Sequence, residues 1–279
     1  MFWGIISKIL SLYSNKKNYS TIISPDIIKY HKNKDLKIVS YNIDGFFLHY
    51  NYLNYIKIAK YIRYLFTEKN IDIICLQEVW EKSIYDLIIN NLTDLNLFYA
   101  QPPTKIKFNI GEHTGLLVIS KYQIINNVFE YFESLYLTCN MTKKGYQNVT
   151  IKINDTHINI INTHLQSSFK YFNLYFQGNS LKQLNIITDY IDSNNLENCL
   201  ILGDLNLDTD FVDEYLKTNE RLTIPYYHKN NITFLNDDEQ LDYFLFYKES
   251  FNDKKIKFNI CNNIYYSDHL PIFLNIKGF

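Results

Sequence analysis

Six stretches of this 279-residue chain set a residue capable of chemistry beside an apolar run. Asn42 lies in SYNIDG, Glu78 in CLQEVW, His164 in INTHLQ, Asp204 and Asn206 in LILGDLN, Asp242 in LDYF, and Asp268 and His269 in YYSDHLP. Singly, each has a bland explanation, since a lone Glu after a strand is commonly a cap and a lone His a hydrogen-bonded core residue. Together they supply two imidazoles, four carboxylates and two amides. Carboxylates suit a hard cation, imidazoles move protons near neutral pH, and amides hold phosphate oxygens. That inventory is enough for metal-assisted phosphoryl chemistry.

Such residues must be brought to one place by the elements that carry them. Leu36–Ile43, Ile71–Gln77, Gly115–Ser120, Ile124–Phe132, Cys199–Leu202, Leu241–Tyr247 and Pro271–Ile276 read as strands. Val149–Ile153 and His157–Thr163 read as a hairpin around Asn154–Asp155. Apolar spacing predicts helices over Leu53–Phe66, Ser83–Leu92 and Leu181–Ile191. The alternation predicts a layered α/β domain, two mixed sheets face to face with helices outside, and the reactive residues at the sheet rim. No internal repeat or linker stands out, so residues 36–279 are expected to form one catalytic domain. Residues 1–35 are expected to be an N-terminal amphipathic segment and tether, the tether being Ser14–Lys34.

Composition narrows the classes. With 47% hydrophobic and 20% charged residues the chain is not disordered, and a net charge of −1 lacks the basic excess of a protein living on non-specific phosphate contacts. Twenty-five Tyr and 19 Phe stand against two Ala and two Arg, the signature of AT-rich codons. Cys75, Cys139, Cys199 and Cys261 are far apart, without a CxxC pair, and read as buried thiols of an intracellular, reducing compartment. Met1–Tyr13 (MFWGIISKILSLY) is apolar at near-helical spacing but too short to span a bilayer, which takes roughly 20 residues. It fits an interfacial helix making peripheral membrane contact, or a helix packed on the domain.

The ordered set Asn42, Glu78, His164, Asp204-Leu205-Asn206, Asp242 and Ser267-Asp268-His269 resembles the endonuclease/exonuclease/phosphatase superfamily over Leu36–Ile276. The resemblance implies a four-layer α/β sandwich and Mg²⁺-dependent cleavage of a phosphate ester, with Mn²⁺ as a substitute. It implies that Glu78, helped by Asn42, binds the metal. His269 would be the general base, oriented by Asp242 or Asp268; Asp204 would position the water or the base, and Asn206 and His164 would hold the phosphoryl oxygens. The run GLLVISK at Gly115–Lys121, Lys144-Gly145, NTHLQS at Asn162–Ser167 and KQL at Lys182–Leu184 are similar to neutral sphingomyelinases of the bacterial C type. Ser180 departs from that pattern, which often carries a basic residue there. SYNIDG and THL also resemble the tyrosyl-DNA phosphodiesterase branch. The implied partners are therefore a phospholipid or, alternatively, a nucleic-acid phosphodiester; no obligate protein partner is evident. Phe169–Phe176 (FKYFNLYF) follows His164, and Phe172 and Phe176 are candidate substrate contacts, inserting in a lipid interface or stacking on bases, unless the run is a packing loop. Lys254–Lys257 could face a polyanion.

Overall fold

The computed structural model describes residues 21–25, 35–45, 52–101, 114–133, 139, 142–167, 173–226, 231–248 and 250–279. Along the chain these form β1 (Thr21–Ile23), β2 (Asp35–Asn42), α1 (Tyr52–Thr67), β3 (Ile73–Val79), α2 (Lys82–Asn90), β4 (Phe98–Gln101), β5 (Gly115–Ser120) and β6 (Gln123–Tyr131). There follow β7 (Gly145–Ile153), β8 (Thr156–His164), α3 (Asn173–Ser193), β9 (Cys199–Asp204), α4 (Thr209–Thr218), β10 (Leu222–Thr223), β11 (Asp242–Tyr247), β12 (Lys255–Ile260) and β13 (Ile272–Lys277).

Two sheets result, one of seven strands in the order β1-β4-β5-β3-β2-β13-β12 and one of six in the order β10-β11-β9-β8-β7-β6. Both are mixed, because β2 runs parallel to β3 and β8 parallel to β9 while the other pairings are antiparallel. Strand alternation sorts the apolar residues into three cores. Leu36 and Ile38 of β2 meet Ile158 and Ile160 of β8, Leu200 and Leu202 of β9, and Phe244 and Phe246 of β11 between the sheets. The opposite parity of β2 (Val39, Tyr41) packs under Ile58, Ile62 and Leu65 of α1. Ile201 of β9 and Tyr243 and Leu245 of β11 pack under Leu184, Ile187 and Ile191 of α3 and Val212 of α4. Helix, sheet, sheet, helix are the four layers expected.

The differences from the sequence reading are local. Thr21–Ile23, inside the stretch read as a tether, is an edge strand paired with β4. Asn173–Phe176, read as part of a loop, opens α3. Helix α4 went unread although Asp208 caps it, its carboxylate accepting from the Phe211 N–H at 3.1 Å. Lys254–Lys257 leads into β12, whose Lys255-Ile-Lys-Phe-Asn-Ile alternation places lysines on one face and Ile256, Phe258 and Ile260 on the inter-sheet core. Cys75, Cys139 and Cys199 are buried and Cys261 is half-buried. Among the described residues no helix is long and apolar enough to cross a membrane. Met1–Tyr13 and, of the Phe169–Phe176 run, residues 169–172 lie outside the described residues.

Parallel β8 and β9 can approach as they do only because residue 203 has no side chain. Gly203 sits at φ +132°, and a Cβ there would fall 1.9 Å from the Thr163 carbonyl oxygen. Gly203→Ala is therefore expected to destabilise the domain by about 2–4 kcal/mol through overpacking and backbone strain. Urea unfolding would show this as a lowered midpoint; an unchanged midpoint would contradict it.

Candidate active site

The inward parity of each central strand, followed to one end of the sandwich, turns polar. On β2, Leu36 and Ile38 give way to Ser40 and Asn42; on β8, Ile158 and Ile160 give way to Asn162 and His164. On β9, Leu200 and Leu202 lead to Asp204, and antiparallel β11 reaches the same rim with Asp242, which pairs with Asp204. Deep to the rim, Gln77 Nε2 donates to Asn162 Oδ1 at 2.8 Å, and Asn162 Nδ2 donates to the Leu76 carbonyl at 3.1 Å, joining the sheets by amides.

Glu78 follows inward-facing Gln77 and by alternation would point outward. A register shift between Leu76 and Val79 and a left-handed φ of 62° at Glu78 turn it to the rim. Such a conformation costs a non-glycine residue on the order of 1–3 kcal/mol and clusters at functional sites. The turn closes on Gly45 of SYNIDG, where a Cβ would lie 2.0 Å from the Glu78 carbonyl oxygen. Trp80 Nε1 donates to Glu78 Oε2 at 3.2 Å. Asn42 Nδ2 donates both to Glu78 Oε1 at 3.1 Å and to Asp204 Oδ2 at 2.9 Å, while its Oδ1 accepts from the Asp44 N–H at 3.1 Å. Asn42 thus meets the two carboxylates through its amide nitrogen and orders them.

The second half of the site is built by the turn before β13. Ser267 Oγ donates to the Asn42 carbonyl at 2.8 Å and accepts from the His269 N–H at 3.1 Å, docking the turn on the end of β2. His269 Nδ1 lies 2.8 Å from Asp242 Oδ2, and Nε2 lies 3.6 Å from Asp204 Oδ2. Of the two carboxylates proposed to orient His269, Asp242 is the one in contact. Asp268 turns away, accepting from Ser267 Oγ at 3.3 Å and from Asn236 Nδ2 at 3.3 Å. Phe234 packs against the His269 ring, centroids 4.9 Å apart.

His164 Nε2 faces Asp204 Oδ2 at 3.4 Å and Glu78 Oε1 at 3.9 Å, and Lys144 Nζ lies 2.7 Å from it. An ammonium only donates, so Nε2 accepts and the ring carries its proton on Nδ1. Lys144, itself buried, also donates to the Leu165 carbonyl and to Ser167 Oγ, both at 2.8 Å. The loop is held further by Gln183 Oε1, which accepts from the Gln166 N–H at 2.8 Å, and by Ser180 Oγ, which donates to the Gln166 carbonyl at 2.9 Å. Asn206, at φ 49°, donates its backbone N–H to Asp204 Oδ1 at 3.0 Å. The sequence reading named all eight rim residues but missed Lys144, Trp80 and Phe234 as neighbours of the reactive groups. The available signal for Lys144 was its place one residue before β7, which begins at the rim. Phe172 lies outside the described residues, and only the backbone of Phe176 is described.

These contacts set the charges. Burial pushes the Asp204 carboxyl up to about 7, with Asp242 adding to the rise and His269, Lys144 and Asn42 opposing it. Burial pulls the His269 ring down, but Asp242, Asp204 and Asp268 together outweigh it and raise its pKa to about 10. Burial, then the charges of Lys144 and His269, hold His164 well below the ordinary range, which keeps it neutral.

Glu78, His164 and Asp204 offer ligand atoms that all lie within 4.8 Å of one another. His164 Nε2 is engaged by Lys144, so the donors open to a cation are carboxylate oxygens, one part-exposed on Glu78 and one buried on Asp204. Two carboxylate oxygens as the open donors fit Mg²⁺ or Mn²⁺ better than a soft metal.

A four-layer α/β sandwich with carboxylates, amides and imidazoles gathered at one end of its two sheets is a scaffold for phosphate-ester chemistry. The chain belongs to the Endonuclease/Exonuclease/phosphatase family, whose pattern matches residues 39–269. It is similar to sphingomyelinase C of Bacillus cereus, 28% identical over an alignment of 155 residues that covers 50% of this chain and 46% of that protein. The matched segment spans about half the length of these curated relatives. Among solved structures, beta toxin of Staphylococcus aureus with bound magnesium ions superposes with a TM-score of 0.70 at 21% identity, over 86% of this chain and 99% of that one. TDP2 of D. rerio complexed with a single-strand DNA product gives 0.66 at 12% identity, over 88% and 100%. Both share the fold.

The His269 environment makes a signed expectation for the metal-free protein. Its folded-state pKa lies above the ordinary 6.5, so the protonated ring's stabilising contribution is complete below about pH 6.5 and is lost as the pH rises through about 10. The His269 ring resonances should therefore titrate near 10 in EDTA, and Asp242→Asn should bring the titration down. A wild-type ring that titrates near 6.5 would contradict the geometry.

Proposed function

We propose that this protein is a divalent-metal-dependent phosphodiesterase that hydrolyses a phospholipid ester by in-line attack of water, in the manner of a sphingomyelinase. The observation that carries this reading is the convergence of Glu78, Asp204, Asp242 and His269 on one rim, with His269 Nδ1 held by Asp242 and its Nε2 facing the carboxylates. Glu78, with Asp204 across the sheets, would hold Mg²⁺ or Mn²⁺, and Asn42 would keep the two carboxylates in register. Bound there, the cation would polarise the phosphoryl oxygens and offset the carboxylate charge.

The remaining roles belong to the chain. His269 Nε2 takes the proton of the attacking water, because Nδ1 is committed to Asp242 and the ring is thereby fixed in one orientation. A base must be neutral, and the bare carboxylates keep this ring protonated, so balancing their charge is what makes the base available. Asp204, between Glu78 and His269, positions the water. Asn206 holds the phosphoryl oxygens; His164, whose Nε2 accepts from Lys144 and has no proton facing the rim, holds that buried lysine, which adds positive charge behind it. No covalent intermediate is involved. In this reading Asp268 positions the turn that carries His269.

A phospholipid substrate is supported by the curated sphingomyelinase C relatives, and Met1–Tyr13 with Phe172 and Phe176 would supply contact with the lipid surface. A nucleic-acid phosphodiester is the second reading, favoured by the likeness to TDP2 with its DNA product. The test is to supply the purified protein and Mg²⁺ with sphingomyelin vesicles, supercoiled plasmid and a 5′-tyrosyl oligonucleotide in separate assays. Hydrolysis of the vesicles alone is expected, with Glu78→Gln inactive yet folded and His269→Ala slowed at least about 10²–10⁴-fold. Turnover in excess EDTA would remove the metal from the account, and cleavage of plasmid or oligonucleotide instead would transfer it to the second reading.

A further inference from the structure

Among the described residues, the seven-stranded sheet is incompletely covered. Helix α1 lies over β2 and β3, whereas the outward residues of β13 and β12 form one wall of a groove whose other wall is α1; its volume is about 510 Å³. This is within the range of roughly 300–1,000 Å³ typical of small-molecule sites, and it lies on the opposite face of the sheet from the inter-sheet rim. The charged residues in its lining are two lysines, Lys37 and Lys69. They sit together at one end, Lys37 Nζ donating to the Lys69 carbonyl at 3.4 Å. Lys69 Nζ stands 5.5 Å above the Tyr64 ring, and Tyr64 stacks on Tyr61 at 6.2 Å.

Register fixes the direction of the groove. Lys257, Asn275 and Lys37 form one row across β12, β13 and β2, and the row beyond it is Lys255, Lys277 and Asp35. Asn275 Oδ1 is buried without a hydrogen-bond partner. From that row the floor runs past Phe273 to Cys261, whose N–H donates to the Pro271 carbonyl. Four residues of strand cover about 13 Å at ~3.3 Å per residue. The neighbouring acids do not cancel the lysines inside the groove: the Asp72 carboxylate accepts from the Lys37 backbone N–H at 2.9 Å, and Glu68 and Asp35 stand outside the lining. The groove is thus basic at one end and mostly aromatic and aliphatic along the rest, with Asn259, Asn263 and Asn275 also in its lining.

We propose that this groove binds a single-chain anionic amphiphile, its phosphate or carboxylate head between Lys37 and Lys69 and its alkyl chain along Tyr64 and Phe273 toward Cys261. Charge complementarity at one end and an apolar length suited to a chain of roughly ten carbons select this occupant. A polynucleotide would need basic groups repeated along the track. The site lies on the other face of the sheet from the catalytic rim and does not depend on the phosphodiesterase reading.

Cys261 supplies a reporter, since it is half-buried in the groove and Cys75, Cys139 and Cys199 are buried. Full-length protein is alkylated with iodoacetamide in the presence of dodecyl phosphate below its micelle concentration, with dodecyl tetraethylene glycol, inorganic phosphate and a twelve-nucleotide single strand as parallel probes. At about ten times its Kd, dodecyl phosphate should slow Cys261 modification about tenfold. The neutral detergent and inorganic phosphate should give little protection. The double variant Lys37→Gln/Lys69→Gln should lose the protection while keeping its melting temperature. No protection by dodecyl phosphate, equal protection by the neutral detergent, or undiminished protection in the folded double variant would overturn the proposal. Protection by the oligonucleotide alone would assign the groove to nucleic acid and overturn it equally. Should the double variant melt early, the wild-type comparison of charged and neutral probes decides.

Discussion

One amide group, Asn42 Nδ2, donates to two carboxylates that come from different sheets, Glu78 at 3.1 Å and Asp204 at 2.9 Å. Much else is arranged to make that possible. The inter-sheet core is apolar along most of its length; toward the rim the sheets exchange polar contacts through Gln77, Asn162 and Asn42, and a second set, from Gln147 and Asn127 to the carbonyls of β4 and β1, ties their edges. Buried amides left unpaired would each cost on the order of 1–3 kcal/mol, so once present they fix the relative position of the sheets there. The turn carrying His269 is docked on the carbonyl of the same Asn42. The carboxylate pair and the base are therefore located relative to one another by a single residue.

Charge is the second constraint. Asp204 and Asp242 are buried side by side on paired strands, and burying a carboxylate costs several kcal/mol unless something balances it. The chain supplies part of the balance: His269 is driven toward its protonated form and Lys144 sits beyond His164. In the proposed mechanism, a base held protonated is not arranged for proton abstraction while these carboxylates are bare. The same cluster becomes coherent when a divalent cation sits at Glu78 and Asp204. His164, kept neutral by burial and by Lys144, accepts from that lysine through Nε2 and adds no charge of its own to the cluster.

Most of this was legible in the sequence because parity carries it. Asn42, His164 and Asp204 each stand four residues beyond an inward-facing core residue, Ile38, Ile160 and Leu200, so a strand reading that finds the core also finds three of the site residues. Glu78 breaks the rule; its inward turn needs a bulge and a left-handed φ, which neither alternation nor propensity announces. The choice between Asp242 and Asp268 was equally invisible, since both flank strands of the same pattern and only the pairing of β11 with β9 brings Asp242 under His269. Lys144 escaped because a lysine before a strand is ordinarily solvent-exposed. Elements shorter than five residues, β1, β4 and β10, carry too little periodicity to be read, and β12 was obscured by its lysines.

The central claim is that two carboxylates joined by Asn42 form a single divalent-cation site that governs the base. Titration of the EDTA-stripped protein with Mn²⁺, followed by electron paramagnetic resonance, tests it without any substrate. One saturable site is expected, displaced by Mg²⁺, strongly weakened in a folded Glu78→Gln variant and retained in His269→Ala. Binding that is absent from the wild type, or that survives unchanged in Glu78→Gln, would contradict the account.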